Sequence, residues 1–122
     1  MPVSQEYLDY VLDQLTAFGT VTSRRMFGGA GLYHQGKFFG LIADDVLYFK
    51  VDDGNRKDYV DAGMGPFKPF GSYAMGYYEV PADVLEDRDE LARWTEKACN
   101  AAGRLKKKNV KNRSGRKGTK DK

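Results

Sequence analysis

Residues 21–51 read VTSRRMFGGAGLYHQGKFFGLIADDVLYFKV, and the fold turns on how they are read. β-Branched and aromatic residues dominate here, and a period near two replaces the helical spacing of the residues before. Three segments stand out: Ser23 to Tyr33 with a glycine-rich interruption, Lys37 to Ala43, and Val46 to Val51. The joints between them are short. Gln35-Gly36 suits a two-residue hairpin turn, with Gly supplying positive φ, and Asp44-Asp45 suits the next one. The stretch is therefore predicted to be an antiparallel meander. In its last strand Leu47, Phe49 and Val51 alternate with Tyr48 and Lys50, which gives one buried and one wetter face.

The same stretch holds GLYHQGKF at residues 31–38, one residue short of a phosphate-binding loop. That loop needs a Ser or Thr hydroxyl on Mg²⁺ at its last position and a helix after it. Phe38 has no hydroxyl, and strand-formers follow, so the hairpin reading wins. Gly29 and Gly31 begin a dinucleotide fingerprint, but position 34 is His and no helix follows. Gly28, Gly29 and Gly31 instead suit a bulge or bend, where a missing side chain lets another backbone approach.

Outward from the meander the chain turns helical. Before it, Ser4 can cap a helix carrying Leu8, Val11, Leu12, Leu15 and Phe18 on one stripe, with Gly19 as its stop. After it, Asp52 or Asp53 can cap a short helix over Asn55 to Ala62, stopped by Gly63. GMGPFKPFGSYAMG, residues 63–76, is too rich in Gly and Pro for regular structure, and Tyr77 to Val80 adds a strand. A short helical turn follows Pro81. Asp87 with Glu90 forms a capping box for a last helix bearing Leu91, Trp94, Ala98, Cys99 and Ala102, which Gly103 closes. The expected fold is α+β: an antiparallel sheet of about four to five strands packed with an N-terminal and a C-terminal helix, plus a short middle helix.

Charge divides the chain in two. Residues 1–102 carry ten Lys or Arg against sixteen Asp or Glu, a net of −6. Residues 103–122, GRLKKKNVKNRSGRKGTKDK, carry ten against one, a net of +9, and the two together give the overall +3. The second part has only Leu105 and Val110 as sizeable apolar residues, so it reads as a disordered basic tail behind a domain at 1–102. Arg104, Lys106, Lys107, Lys108, Lys111, Arg113, Arg116, Lys117 and Lys120 can neutralise phosphates by counterion release without reading sequence. The acidic domain repels DNA, so phosphate contacts are expected from the tail alone.

Other chemistry is sparse. No apolar run reaches the roughly 20 residues of a membrane span, and the N-terminus lacks a secretory pattern. One cysteine, Cys99, excludes an internal disulfide and fits a reducing cytoplasm. One histidine, His34, leaves no cluster for zinc, and the sequence calls for no cofactor. DDGN at 52–55 lacks the alternating acids of a calcium loop. Cys99 falls on an apolar stripe and reads as a small buried hydrophobe, and His34 as a solvated turn residue. Nothing assembles a nucleophile, base and oxyanion donor, so the reading is non-enzymatic. Arg24-Arg25 would place one guanidinium on the inner face of its strand, favouring a structural pair with a carboxylate or carbonyls. The rival is a small-molecule-binding or enzymatic domain built on the glycine-rich bend and Phe27, Tyr33, Phe67, Phe70 and Tyr77. A homodimer through an open sheet edge is the other oligomeric possibility beside a monomer.

RRMFGG, FGLIADD, LYFKVDD, NR, AG, PF and YYEVPADVLED occur in this order between residues 24 and 87. With them the chain resembles, over about residues 4–102, the N-terminal domain of the TfoX/Sxy family, bacterial proteins linked to regulation of competence genes. The resemblance implies an antiparallel sheet flanked by helices and a transcriptional co-regulator. It also implies a protein partner, the cyclic-AMP receptor protein at competence promoters, and it supplies no catalytic residues. Arg24, Arg25, Met26, Phe27, Gly28 and Gly29 are the family signature, with no role attached.

Overall fold

The computed structural model describes residues 3–26, 28–67 and 76–114, with side chains as far as Gly103. Helix α1 (Gln5–Gln14) runs into a 3-10 turn at Leu15–Ala17, and strands β1 (Thr22–Met26), β2 (Gly29–His34), β3 (Lys37–Ala43) and β4 (Val46–Lys50) follow. Helix α2 (Arg56–Asp61), strand β5 (Tyr77–Glu79), helix α3 (Ala82–Leu85) and helix α4 (Arg88–Ser114) complete the chain. The five strands form one antiparallel sheet in sequence order, β1-β2-β3-β4-β5. This is the expected α+β fold.

The turns follow their chemistry. Gln35 and Gly36 have φ of 52° and 78°, and Asp44 and Asp45 have 56° and 57°. Paired positive φ values match the right-handed twist of the strands they join. Ser4 caps α1 by accepting from Tyr7 N–H at 3.1 Å. Asp87 accepts from Asp89 and Glu90 N–H at 3.1 and 3.2 Å. Only half of the capping box forms, because the Glu90 carboxylate turns to Arg93 and to Trp94 Nε1–H.

The glycine-rich interruption differs from the expected bulge. It separates two strands: β1 and β2 pair antiparallel, with Met26 opposite Gly29, and Gly28 lies in the turn with φ of 79°. A register shift occurs instead between β2 and β3, where pairing passes from Leu32–Gly40 to Tyr33–Phe38 and Phe39 is the extra residue. Phe38 and Phe39 point to opposite faces by ordinary alternation, and the extra residue puts Ile42 on the face of Phe39 and Leu41 on that of Phe38. Phe39 is fully buried in the main core, while Phe38 joins Leu41 and Tyr48 against a small cluster of Ala43, Phe67 and Tyr77.

The main core lies between the sheet and the helices. It unites Leu8, Val11 and Leu15 with Leu32, Phe39, Ile42, Leu47 and Phe49, and closes with Val84, Leu85, Leu91 and Ala98. Gln14 ties the layers by donating to the Leu85 carbonyl at 2.9 Å and accepting from Arg88 Nε at 3.1 Å. At the loop after β4 the N-cap position of α2 falls on Asn55 rather than on either aspartate. Asn55, 2% exposed, holds the loop by accepting from Asp52 N–H at 2.8 Å and donating to the Lys50 carbonyl at 3.0 Å.

The last helix does not stop at Gly103 as expected. It continues to Ser114, so residues 104–114 have a helical backbone rather than the irregular one expected. The reason is cooperative: a helix already nucleated propagates through Leu, Lys and Arg, all good helix formers, and one glycine costs only about 1 kcal/mol. At 1.5 Å per residue the 27 residues of α4 span about 40 Å.

Candidate functional site

Two features of α4 bear on function. The first is its rise in positive charge: residues 88–102 carry three bases and three acids, and residues 104–114 six bases and no acid. Its first turn carries Asp89 and Glu90, which suit the positive end of the helix dipole. Beyond Gly103, Arg104, Lys106, Lys107, Lys108, Lys111 and Arg113 occupy consecutive turns of the same backbone. Positions 104, 107, 108 and 111 share one face by helical spacing, and 106 and 113 share another. Arg116, Lys117 and Lys120 lie outside the described residues. One helix thus joins an acidic domain to a basic segment.

The second is a cleft of about 510 Å³ between the start of the sheet hairpin and α4. It brings together residues that are far apart in sequence: Phe18, His34, Gln35, Lys37, Glu96 and Cys99 line it, with Arg93 and Asn100 at α4. His34 Nδ1 lies 2.7 Å from the Thr20 carbonyl. A carbonyl can only accept, so Nδ1 carries the hydrogen and Nε2 holds the lone pair in the neutral ring. Phe18 packs edge-on against the imidazole at 4.7 Å. His34 is therefore an anchored residue rather than the freely solvated one expected.

Cys99 is buried, as its stripe predicts, and burial pushes its thiol up to about 11 against a weaker pull from Lys37. The thiol stays protonated near neutrality, and a protonated thiol is a poor nucleophile. The cleft brings together the sole histidine and the sole cysteine without making an activated pair. Among the described residues no group of His, Cys, Asp and Glu could hold a metal ion.

Some of the signature residues have structural contacts. Arg24 and Arg25 are both exposed on the edge strand β1, so neither sits on an inner face. Arg25 is nevertheless structural: it donates to the Val3 carbonyl at 3.2 Å and to Gln5 Oε1 at 2.9 Å, fastening the start of α1 to the sheet. Met26 is half-buried at the end of β1, with its Cε beside Gly31. Phe27 lies outside the described residues. Gly29 faces the Ile42 carbonyl so closely that a Cβ would sit 2.3 Å from its oxygen, the close backbone approach expected of these glycines.

The rival set of aromatics divides. Tyr33 stacks on Phe38 at 5.1 Å, Phe38 meets Tyr77 at 5.6 Å, and Phe67 packs on Tyr48 at 4.7 Å. Phe67 and Tyr77 are spent in packing the second face of the sheet. Phe27 and Phe70 lie outside the described residues. Sequence reasoning missed the cleft because His34 and Cys99 are brought together only by the packing of α4 on β3. Their local sequences contain no signal of it.

No helix among the described residues is long and apolar enough to cross a membrane. None of the curated proteins matches the chain significantly. The model of the TfoX N-terminal domain matches residues 13–102, which is most of the chain, and that family is not one of enzymes. The sheet, its flanking helices and this match lead to one conclusion: the chain belongs to the TfoX N-terminal domain family.

Proposed function

We propose that the protein is a non-enzymatic transcriptional co-regulator of the competence type. In this reading it acts in the bacterial cytoplasm by docking on a transcription-associated protein, for which the cyclic-AMP receptor protein is the family's precedent. Its basic segment holds the assembly on nucleic acid without sequence preference. The observation that carries this reading is the charge contrast that α4 bridges, between residues 1–102 of net −6 and residues 103–122 of net +9. A cationic helix releases counterions from a phosphate backbone, and such binding is sequence-tolerant and steep in salt. The protonated Cys99 thiol further supports a non-catalytic role.

The test compares the full chain with a full-length variant carrying Lys106→Gln, Lys107→Gln, Lys108→Gln and Lys111→Gln. Fluorescence anisotropy on labelled duplex DNA should show salt-sensitive binding for the first and its loss in the second, with the same melting temperature for both. Equal binding by both would remove the basic segment from the mechanism.

A further inference from the structure

Lys37 is the one cation of the β2–β3 hairpin, and it stands where the domain meets the basic segment. Its side chain runs alongside Gly103: a Cβ built there would lie 3.5 Å from Lys37 Cε and 3.7 Å from Nζ. Arg104 is the next residue. Among the described residues Lys37 makes no ion pair, whereas Arg56, Lys57, Arg88, Arg93 and Lys97 each have a carboxylate partner. Lysine without a partner, half-buried in a domain of net −6, is an unused charge at the border of a cationic tract.

Its surroundings are suited to an oxyanion. The same cleft presents the exposed amides of Gln35 and Asn100, which can donate to phosphate oxygens. Gln35 sits in the positive-φ turn between β2 and β3. Glu96 lines the cleft with no carboxylate-binding partner among the described residues, and it opposes an anion there.

We infer that the cleft between the β2–β3 hairpin and α4 seats a backbone phosphate of duplex DNA, with Lys37 as its cation and Gln35 and Asn100 as its donors. The domain thus adds a contact to those of the basic segment, contrary to the expectation that the segment acts alone. This rests on the nucleic-acid reading above. A phosphate held at Lys37 fixes where the strand enters, and so sets the domain's orientation on the duplex, which a freely sliding arm could not do. Glu96 weakens the seat and keeps it subordinate to the segment.

The experiment is anisotropy on labelled duplex DNA across a potassium chloride series, using full-length chains throughout. Lys37→Gln should lower affinity about fivefold and reduce the slope of log K against log salt by about 0.9, the value for one phosphate. Lys37→Arg should restore both. Glu96→Gln should tighten binding about twofold by removing the opposing charge. Lys57→Gln, on α2 outside the cleft and paired with Asp61, should change neither. If Lys37→Gln leaves the slope intact while the four-lysine variant loses binding, the seat is wrong and the basic segment acts alone. If Glu96→Gln weakens binding, the seat is equally overturned. If the four-lysine variant binds as tightly as the natural chain, the nucleic-acid reading fails and the seat with it.

Discussion

The Cα hydrogen of Gly29 points at the carbonyl of Ile42, across a gap that has no room for a Cβ. A methyl at Gly29 would sit 2.3 Å from that oxygen and 3.4 Å from its carbon, both backbone atoms in the neighbouring strand. Neither can retreat without opening the pairing of β2 with β3. Gly29→Ala should therefore cost about 3 kcal/mol or more in urea unfolding, or prevent folding, as overpacking against rigid backbone does. Gly36→Ala is the contrast. Nothing lies within 4 Å of its Cβ position, so only the strain of φ at 78° is charged, about 1 kcal/mol. Equal effects of the two substitutions would mean that the close approach does not govern the site.

Tyr59 offers a gain in stability. It is 1% exposed, packed against Trp94 at 4.7 Å and Tyr78 at 5.8 Å, and its hydroxyl has no hydrogen-bond partner among the described residues. A buried hydroxyl left unpaired costs about 1–3 kcal/mol, so Tyr59→Phe should raise stability by about 1 kcal/mol. Its melting temperature should exceed that of the natural chain. A fall would place an unseen partner on the hydroxyl.

Alkaline pH should destabilise the protein in a defined window. Burial raises the Cys99 thiol from 9.0 to about 11 and the Tyr77 phenol from 10.0 to about 12, and it raises Tyr59 further in the same direction. Between the ordinary and the raised values the unfolded chain has lost protons that the folded chain keeps. Stability is then fully present below about pH 9 and falls as pH climbs towards 11 and beyond. Melting temperatures measured from pH 7 upward should be level to about pH 9 and then decline, and less steeply in Tyr59→Phe. A profile flat through that window would show that these groups are not shielded.

Much of this fold is legible in the residues themselves, and the exceptions have physical causes. Gln35-Gly36 and Asp44-Asp45 announce their turns because few residues tolerate positive φ. Ser4 and Asp87 announce helix starts because their oxygens are made for free N–H groups. The register shift at Phe39 is not legible, since both Phe38 and Phe39 suit a strand and only packing decides which face each takes. The passage of α4 through Gly103 is equally hidden, because the residues before Gly103 have already met the cost of nucleation. Of the site, the basic residues are plain in composition. The cleft is not, because Lys37 and Gly103 meet only through the tertiary packing of the hairpin on α4.

Gly103 gives a direct probe of that helix. A Cβ there would meet Lys37 only at ordinary contact distance, 3.5 Å and beyond, and φ at Gly103 lies outside the left-handed range. Gly103→Ala should therefore be accommodated and should stabilise the helix by about 0.5–1 kcal/mol. Circular dichroism should show helix content unchanged or raised. A marked loss of helicity would mean that the chain needs glycine there to turn.

The most direct measurement is the salt dependence of duplex DNA binding by the intact chain. The account predicts that log K falls linearly with log salt, and that the four-lysine variant at 106, 107, 108 and 111 loses up to about 3.6 from the slope. A slope near zero for the intact chain, or one unchanged in the variant, would contradict it.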